Sequence, residues 1–193
     1  MCEACELNLL LDYYLETGQF DEAYYRAQPL ISKQVTCYEA NLRAFLKLAY
    51  YAQKAGKPEI ASDMCTCAEE GLAGREKDEY LILYIGQFII YNFMVNLQRG
   101  WEYAERCIPW SLRMSKYKKY RFSCDMTEAL KYESRPEVKL ELPEEFPLYN
   151  TNGTYKVKEL YDYFYKQAEE LAQQYDARNG NKGHMERLQL TLV

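Results

Sequence analysis

Three cysteines, Cys2, Cys5 and Cys37, have the residue type and spacing of a metal-ligand set. Cys2 and Cys5 stand three apart, which puts both thiols on one face of a helical first turn. Cys37 opens the next repeat of the chain, so side-by-side stacking of first-type helices carries its thiol toward that pair. Three thiolates suit zinc, but a closed structural zinc site takes four ligands. His184 is remote in the chain, and Cys65, Cys67 and Cys107 fall on second-type helices, so zinc would need a carboxylate such as Glu3 or Glu39. Packed or half-exposed thiols are the simpler reading of the same residues, and a redox pair is a third. Zinc is therefore an alternative here, and the main expectation carries no cofactor.

The remaining chemistry-bearing residues have structural explanations. Cys65 and Cys107 occupy positions that want small buried side chains. Cys67 is two residues from Cys65 and hence on nearly the opposite helix face, so the pair is not a chelate. The run Lys116-Tyr117-Lys118-Lys119-Tyr120-Arg121 interleaves cations and aromatics as some nucleic-acid surfaces do. Placed at a helix end, it reads instead as cations offsetting the negative pole of a macrodipole. His184, the sole histidine, sits in a polar tail without a nearby nucleophile and makes a poor general base. Glu144-Glu145 and Glu169-Glu170 are solvating charge, and Arg178 belongs to the last turn of a helix closed by Asn179-Gly180. The Asn152-Gly153-Thr154 sequon is a chance match. With no phosphate-cradling glycine loop and no nucleophile elbow, no catalytic residue is assigned, and the chain reads as a non-enzyme.

Composition bounds the rest. The 193 residues carry a net charge of -5 and a pI near 5.2, which argues against a surface built for nucleic-acid phosphates. The longest apolar run, Tyr80 to Val95, is interrupted by Gly86, Gln87 and Asn92 and falls short of the ~20 residues of a membrane span. The amino terminus lacks a secretory pattern, and seven cysteines form no regular framework, so reduced thiols in a cytoplasm are expected. Twenty tyrosines suit helices that bury a ring and keep a hydroxyl near water.

Along the chain, hydrophobic helical hairpins recur about every 38 residues. The first (3–31) carries Leu7, Leu10, Leu11 and Tyr14 on one face, turns at Thr17-Gly18, and resumes at Phe20 with a small-residue stripe of Ala23 and Ala27. The second (36–73) opens with a capping box, Thr36 followed three residues later by Glu39. It runs through Phe45 and Leu48 to Ala55-Gly56, and Pro58 then starts a helix bearing Ala61, Cys65 and Ala68. In the third (78–116), Asn96 is the expected left-handed turn residue, Ala104 and Cys107 continue the stripe, and Pro109 should kink the helix or interrupt its hydrogen bonding. A further helix spans 121–132 and completes a repeat region of residues 1–134. In 135–193, the alternation from Pro136 to Leu142 predicts a short extended crossover, and Val157 to Ala177 a capping helix before the polar tail.

Leu10, Tyr14, Gly18, Phe20 and Ala23, with Leu48, Gly56, Ala61 and Ala68, resemble a tetratricopeptide-repeat protein over roughly residues 3 to 116. The usual period is about 34, and Leu7 and Leu11 replace the characteristic Trp and Gly. Cys2-Glu3-Ala4-Cys5-Glu6-Leu7, Pro29-Leu30-Ile31 with Cys37, Pro109-Trp110 and Asp176-Ala177-Arg178-Asn179-Gly180 further resemble an uncharacterised group of bacterial repeat proteins. That resemblance implies an all-α superhelix of stacked hairpins, a bacterial cytoplasm, and further hairpins before the paired cysteines. It implies no reaction.

Such stacks bind protein or peptide partners in a concave groove lined by the first helix of each pair. Repeat register directs Asn8, Asp12, Glu16, Arg43, Tyr50, Lys54 and Asn92 to that groove. The first hairpin should also leave part of its apolar side for solvent, for self-association or for another repeat.

Overall fold

Gly18 and Gly56 close the first helices of the two leading hairpins with φ of 74° and 70°. An L side chain is strained in that left-handed region, which is why glycine recurs at the two turns. The computed structural model describes residues 2–37, 39–75 and 78–192. Tyr38, inside the stretch expected to open the second hairpin, lies outside them. The chain forms two compact units, Met1–Asp78 and Glu79–Val193. Ten α-helices and one short β-hairpin build the described residues, so the fold is all-α in character.

In the first unit, α1 (Glu3–Glu16) pairs with α2 (Phe20–Arg26), and α4 (Ala40–Lys54) with α5 (Pro58–Leu72). A one-turn α3 (Gln28–Ile31) follows α2 where one continuous helix was expected. Pro29 has no amide hydrogen to extend the ladder, so the chain breaks at Ala27 and restarts. The stripe residues Ala23 and Ala61 are fully buried, which lets their helices approach their partners closely. On α1 the inward face is Ala4, Asn8, Leu11 and Leu15, turned from the expected one, and Leu10 is 45% exposed. The capping box is not formed: α4 starts at Ala40 without a side-chain cap, and Asn41 organises the preceding segment instead.

In the second unit a 3-10 turn, Glu79–Leu81, leads into α6 (Ile82–Val95), α7 (Leu97–Arg113) and α8 (Lys116–Leu130). Asn96 is extended at φ -152° rather than left-handed, and its side chain caps α7 by accepting from the Arg99 amide. Ala104 and Cys107 are fully buried, and α7 runs through Pro109 to Arg113. Gly86 on α6 lies against Asp125 of α8, whose carboxylate would collide with an added Cβ. Beyond α8, buried Glu133 accepts from Trp101 Nε1 at 2.7 Å and from Arg135 at 2.6 Å. The expected extended segment is β1 (Glu137–Lys139), and it pairs antiparallel with β2 (Thr154–Lys156). The long helix α9 (Val157–Asn179) ends at left-handed Gly180. The polar tail folds as α10 (Gly183–Leu190), whose Leu188 joins Tyr120, Cys124, Ala168, Leu171 and Ala172 in one core. Among the described residues no helix is long and apolar enough to cross a membrane.

Candidate metal centre

Cys2 immediately precedes α1, Cys5 lies in its first turn, and Cys37 stands in the segment between α3 and α4. Their Sγ atoms all lie within 4.8 Å of one another, and the Cys2 thiol donates to Cys5 Sγ at 3.2 Å. Tetrahedral coordination with Zn–S of ~2.3 Å sets sulfur atoms about 3.8 Å apart, inside this range. Cys2 is exposed and the other two are half-buried, so an ion can reach the group from solvent.

Two asparagines fix the geometry. Asn8 donates to the Ala40 carbonyl at 2.6 Å, which ties the second turn of α1 to the start of α4. Asn41 accepts from the Cys37 amide at 3.0 Å and donates to the carbonyls of Leu30, at 2.7 Å, and Val35, at 3.0 Å. Its amide thereby satisfies one backbone group of α3 and two of the segment that carries Cys37. An ion pair of Asp12 with Lys47 joins the same two helices one turn further on.

The thiols differ in acidity. Hydrogen bonds from the backbone of Glu39 and then Ala40 lower the Cys37 pKa, with a further contribution from the Cys2 side chain. The Cys5 thiol is pushed up to about 11, first by its hydrogen bond with Cys2 and then by burial. One thiolate thus has support while its neighbour resists ionisation beside it, and a bound cation would favour both as anions. Among the described residues the group consists of these three thiols. Neither Glu3 nor Glu39 joins it, so the carboxylate expected as fourth ligand is not supplied by them.

Comparison with protein-family models, curated proteins and solved structures found no match for this chain.

The residues expected to line a groove are divided by burial. Asn8 (1% exposed) and Tyr50 (5%) are interior, and Asn92, in the second unit, is interior at 2%, its side chain donating to the Phe88 carbonyl within α6. Asp12 and Arg43 are half-buried, whereas Glu16 and Lys54 are exposed. Lys54 Nζ donates to the Tyr50 hydroxyl at 3.0 Å. Asn41 was missed altogether. Its one sequence signal is an amide set beside the amphipathic stretch Leu42 to Leu48, four residues after a cysteine.

The cationic run also changes place. Met114 and Ser115 are extended and the next helix starts after them, so Lys116–Arg121 opens α8 instead of closing α7. The cations therefore sit at the positive pole, the reverse of the expected arrangement.

Proposed function

We propose that this chain is a non-enzymatic regulatory module that binds a thiophilic divalent cation, zinc first among them, through Cys2, Cys5 and Cys37. The observation that carries this reading is the convergence of three sulfur atoms from segments 32 residues apart in sequence, between Cys5 and Cys37, within 4.8 Å. Three soft ligands select zinc over the hard divalent cations. The fourth position falls to water or to a ligand from outside the described residues, which leaves the site open to exchange. Binding displaces thiol protons and clips the start of α1 to the approach of α4, so occupancy stabilises the first unit.

The test is metal content together with spectroscopy. Protein purified without chelator should carry close to one zinc per chain by plasma mass spectrometry. Cobalt substitution should produce sulfur-to-metal charge-transfer absorption that Cys5→Ser and Cys37→Ser remove. Protein that takes up neither ion under reducing conditions overturns the reading.

A second reading is a surface for a protein or peptide partner, within a tetratricopeptide-like stack of a bacterial cytoplasmic protein. Leu9, Leu10, Tyr13 and Tyr25 are each 45 to 70% exposed on α1 and α2, and exposed apolar side chains of this size suit a partner. The recurring turn glycines and the buried Ala23, Ala61 and Ala104 support the stack. Leu10→Glu with Tyr13→Ser should abolish partner capture while leaving zinc content unchanged. Retention of the same partner by that variant would remove this surface from the account.

A further inference from the structure

A pocket of about 170 Å³ lies beside α8 and the α9–α10 turn, lined by Tyr117, Arg121, Asn181, Gly183, His184 and Arg187, with Tyr120 at its base. In a chain of net charge -5 this wall contains two guanidiniums, an imidazole and no carboxylate. We propose that it binds a phosphate group, as inorganic phosphate or as the phosphoryl end of a small monoester.

The imidazole is the most tightly organised group in the wall. His184 Nδ1 is 2.9 Å from Asp176 Oδ1, and Asp176 also accepts from the His184 and Met185 amides at 2.9 Å each. With Nδ1 committed to the carboxylate, Nε2 is the ring nitrogen available to a ligand. Tyr175 stacks on the ring at 5.0 Å and Tyr120 packs against it in a T-shaped contact at 5.2 Å. The Tyr120 hydroxyl donates to the His184 carbonyl at 2.7 Å, and burial keeps that hydroxyl protonated. The imidazole is therefore fixed before any ligand arrives, which saves the cost of ordering it on binding.

The guanidiniums supply the charge. Each offers five N–H donors in a planar fork that matches phosphate oxygens. Both act on Asp125 as well: burial pushes its carboxyl up to about 6 against the pull of Arg121 and Arg187. Five donors allow an inner carboxylate and an outer ligand to be served together. Lys116, Lys118 and Lys119 add positive field from the same turns of α8. The volume is below the ~300–1,000 Å³ of pockets for drug-sized ligands. It accommodates a tetrahedral oxyanion and leaves any organic substituent outside, against Tyr117.

Because His184 is the sole histidine, its ring signals in NMR are unambiguous. The full chain is titrated with inorganic phosphate, with phenyl phosphate, and with chloride at matched ionic strength, following those signals. A saturable His184 shift with either phosphate form, weakened at least tenfold in an Arg187→Gln chain with unchanged circular dichroism, is the expected result. Tighter binding of inorganic phosphate identifies a free anion as the ligand, and tighter binding of phenyl phosphate a monoester. Unmoved signals, an equal response to chloride, or full binding by Arg187→Gln would each overturn the proposal. If Arg187→Gln unfolds, Arg121→Gln takes its place under the same criteria. The wild-type comparison against chloride decides between specific binding and screening in either case.

Discussion

Asn41 offers no atom that a soft metal prefers, yet it holds the third cysteine in position through three backbone hydrogen bonds. Outer groups of this kind typically alter metal affinity ten- to a hundredfold. Asn41→Ala should therefore weaken zinc binding about tenfold with all three cysteines intact, measured by competition with a chromophoric chelator. An affinity equal to wild type would show that the Cys37 segment holds its course without the amide. Glu133 is a second residue whose environment sets its behaviour. Burial opposes its ionisation, but hydrogen bonds from Arg135 and Trp101 outweigh that and bring the carboxyl down to about 2 from the usual 4.5. A depressed carboxyl contributes stability that is complete above the unfolded value and is lost as pH falls from about 4.5 toward about 2. Wild type should exceed Glu133→Gln by about 2 kcal/mol in urea unfolding at pH 7, the scale of hydrogen bonds to a charged group. That gap should narrow steadily below pH 4.5. A gap independent of pH would assign the loss to packing alone. The cysteine types and the i,i+3 spacing were readable from the chain, whereas the role of Asn8 was not. An amide on a helix reads as a surface group until the neighbouring carbonyl that it satisfies is known.

At the scale of elements, close approach between helices decides more than propensity. Gly86 interrupts an apolar run in sequence, but in the fold it makes room for the Asp125 carboxylate. Gly86→Ala should cost about 1–3 kcal/mol, the range for overpacking a tight contact. Adding Asp125→Ala should restore part of that loss in a double-mutant cycle, because the obstructing atoms are gone. Purely additive effects would place the strain elsewhere. The hairpin turns were legible because Gly18, Gly56 and Pro58 act locally, and the same holds for the left-handed end of α9 at Gly180. β2 and α10 were not legible. A three-residue strand has too few alternations to register, and α10 depends on Leu188 meeting α8 and α9, a contact that its own eight residues do not announce. The Lys116–Arg121 run was assigned to the wrong helix pole for a related reason. Ser115 is a weak stop in sequence, and the extended Met114 before it has no compositional mark.

For the whole molecule, division into two compact units means that ligands act locally first. Removing metal with a chelator should raise amide hydrogen exchange in the first turn of α1 and at the start of α4. The α8–α9–α10 core should be unaffected. Uniform change in both units would show that the metal supports the entire chain. Saturating phosphate should give the converse pattern, with slower exchange around residues 181–188 and none of it near Cys37. Both tryptophans, Trp101 and Trp110, lie on α7, and the Trp101 indole is tied to Glu133. Indole emission therefore reports on Glu79–Val193, where both indoles lie, while far-ultraviolet ellipticity sums over every helix. Recording both signals along one thermal ramp separates the two halves optically, without a label or a truncation.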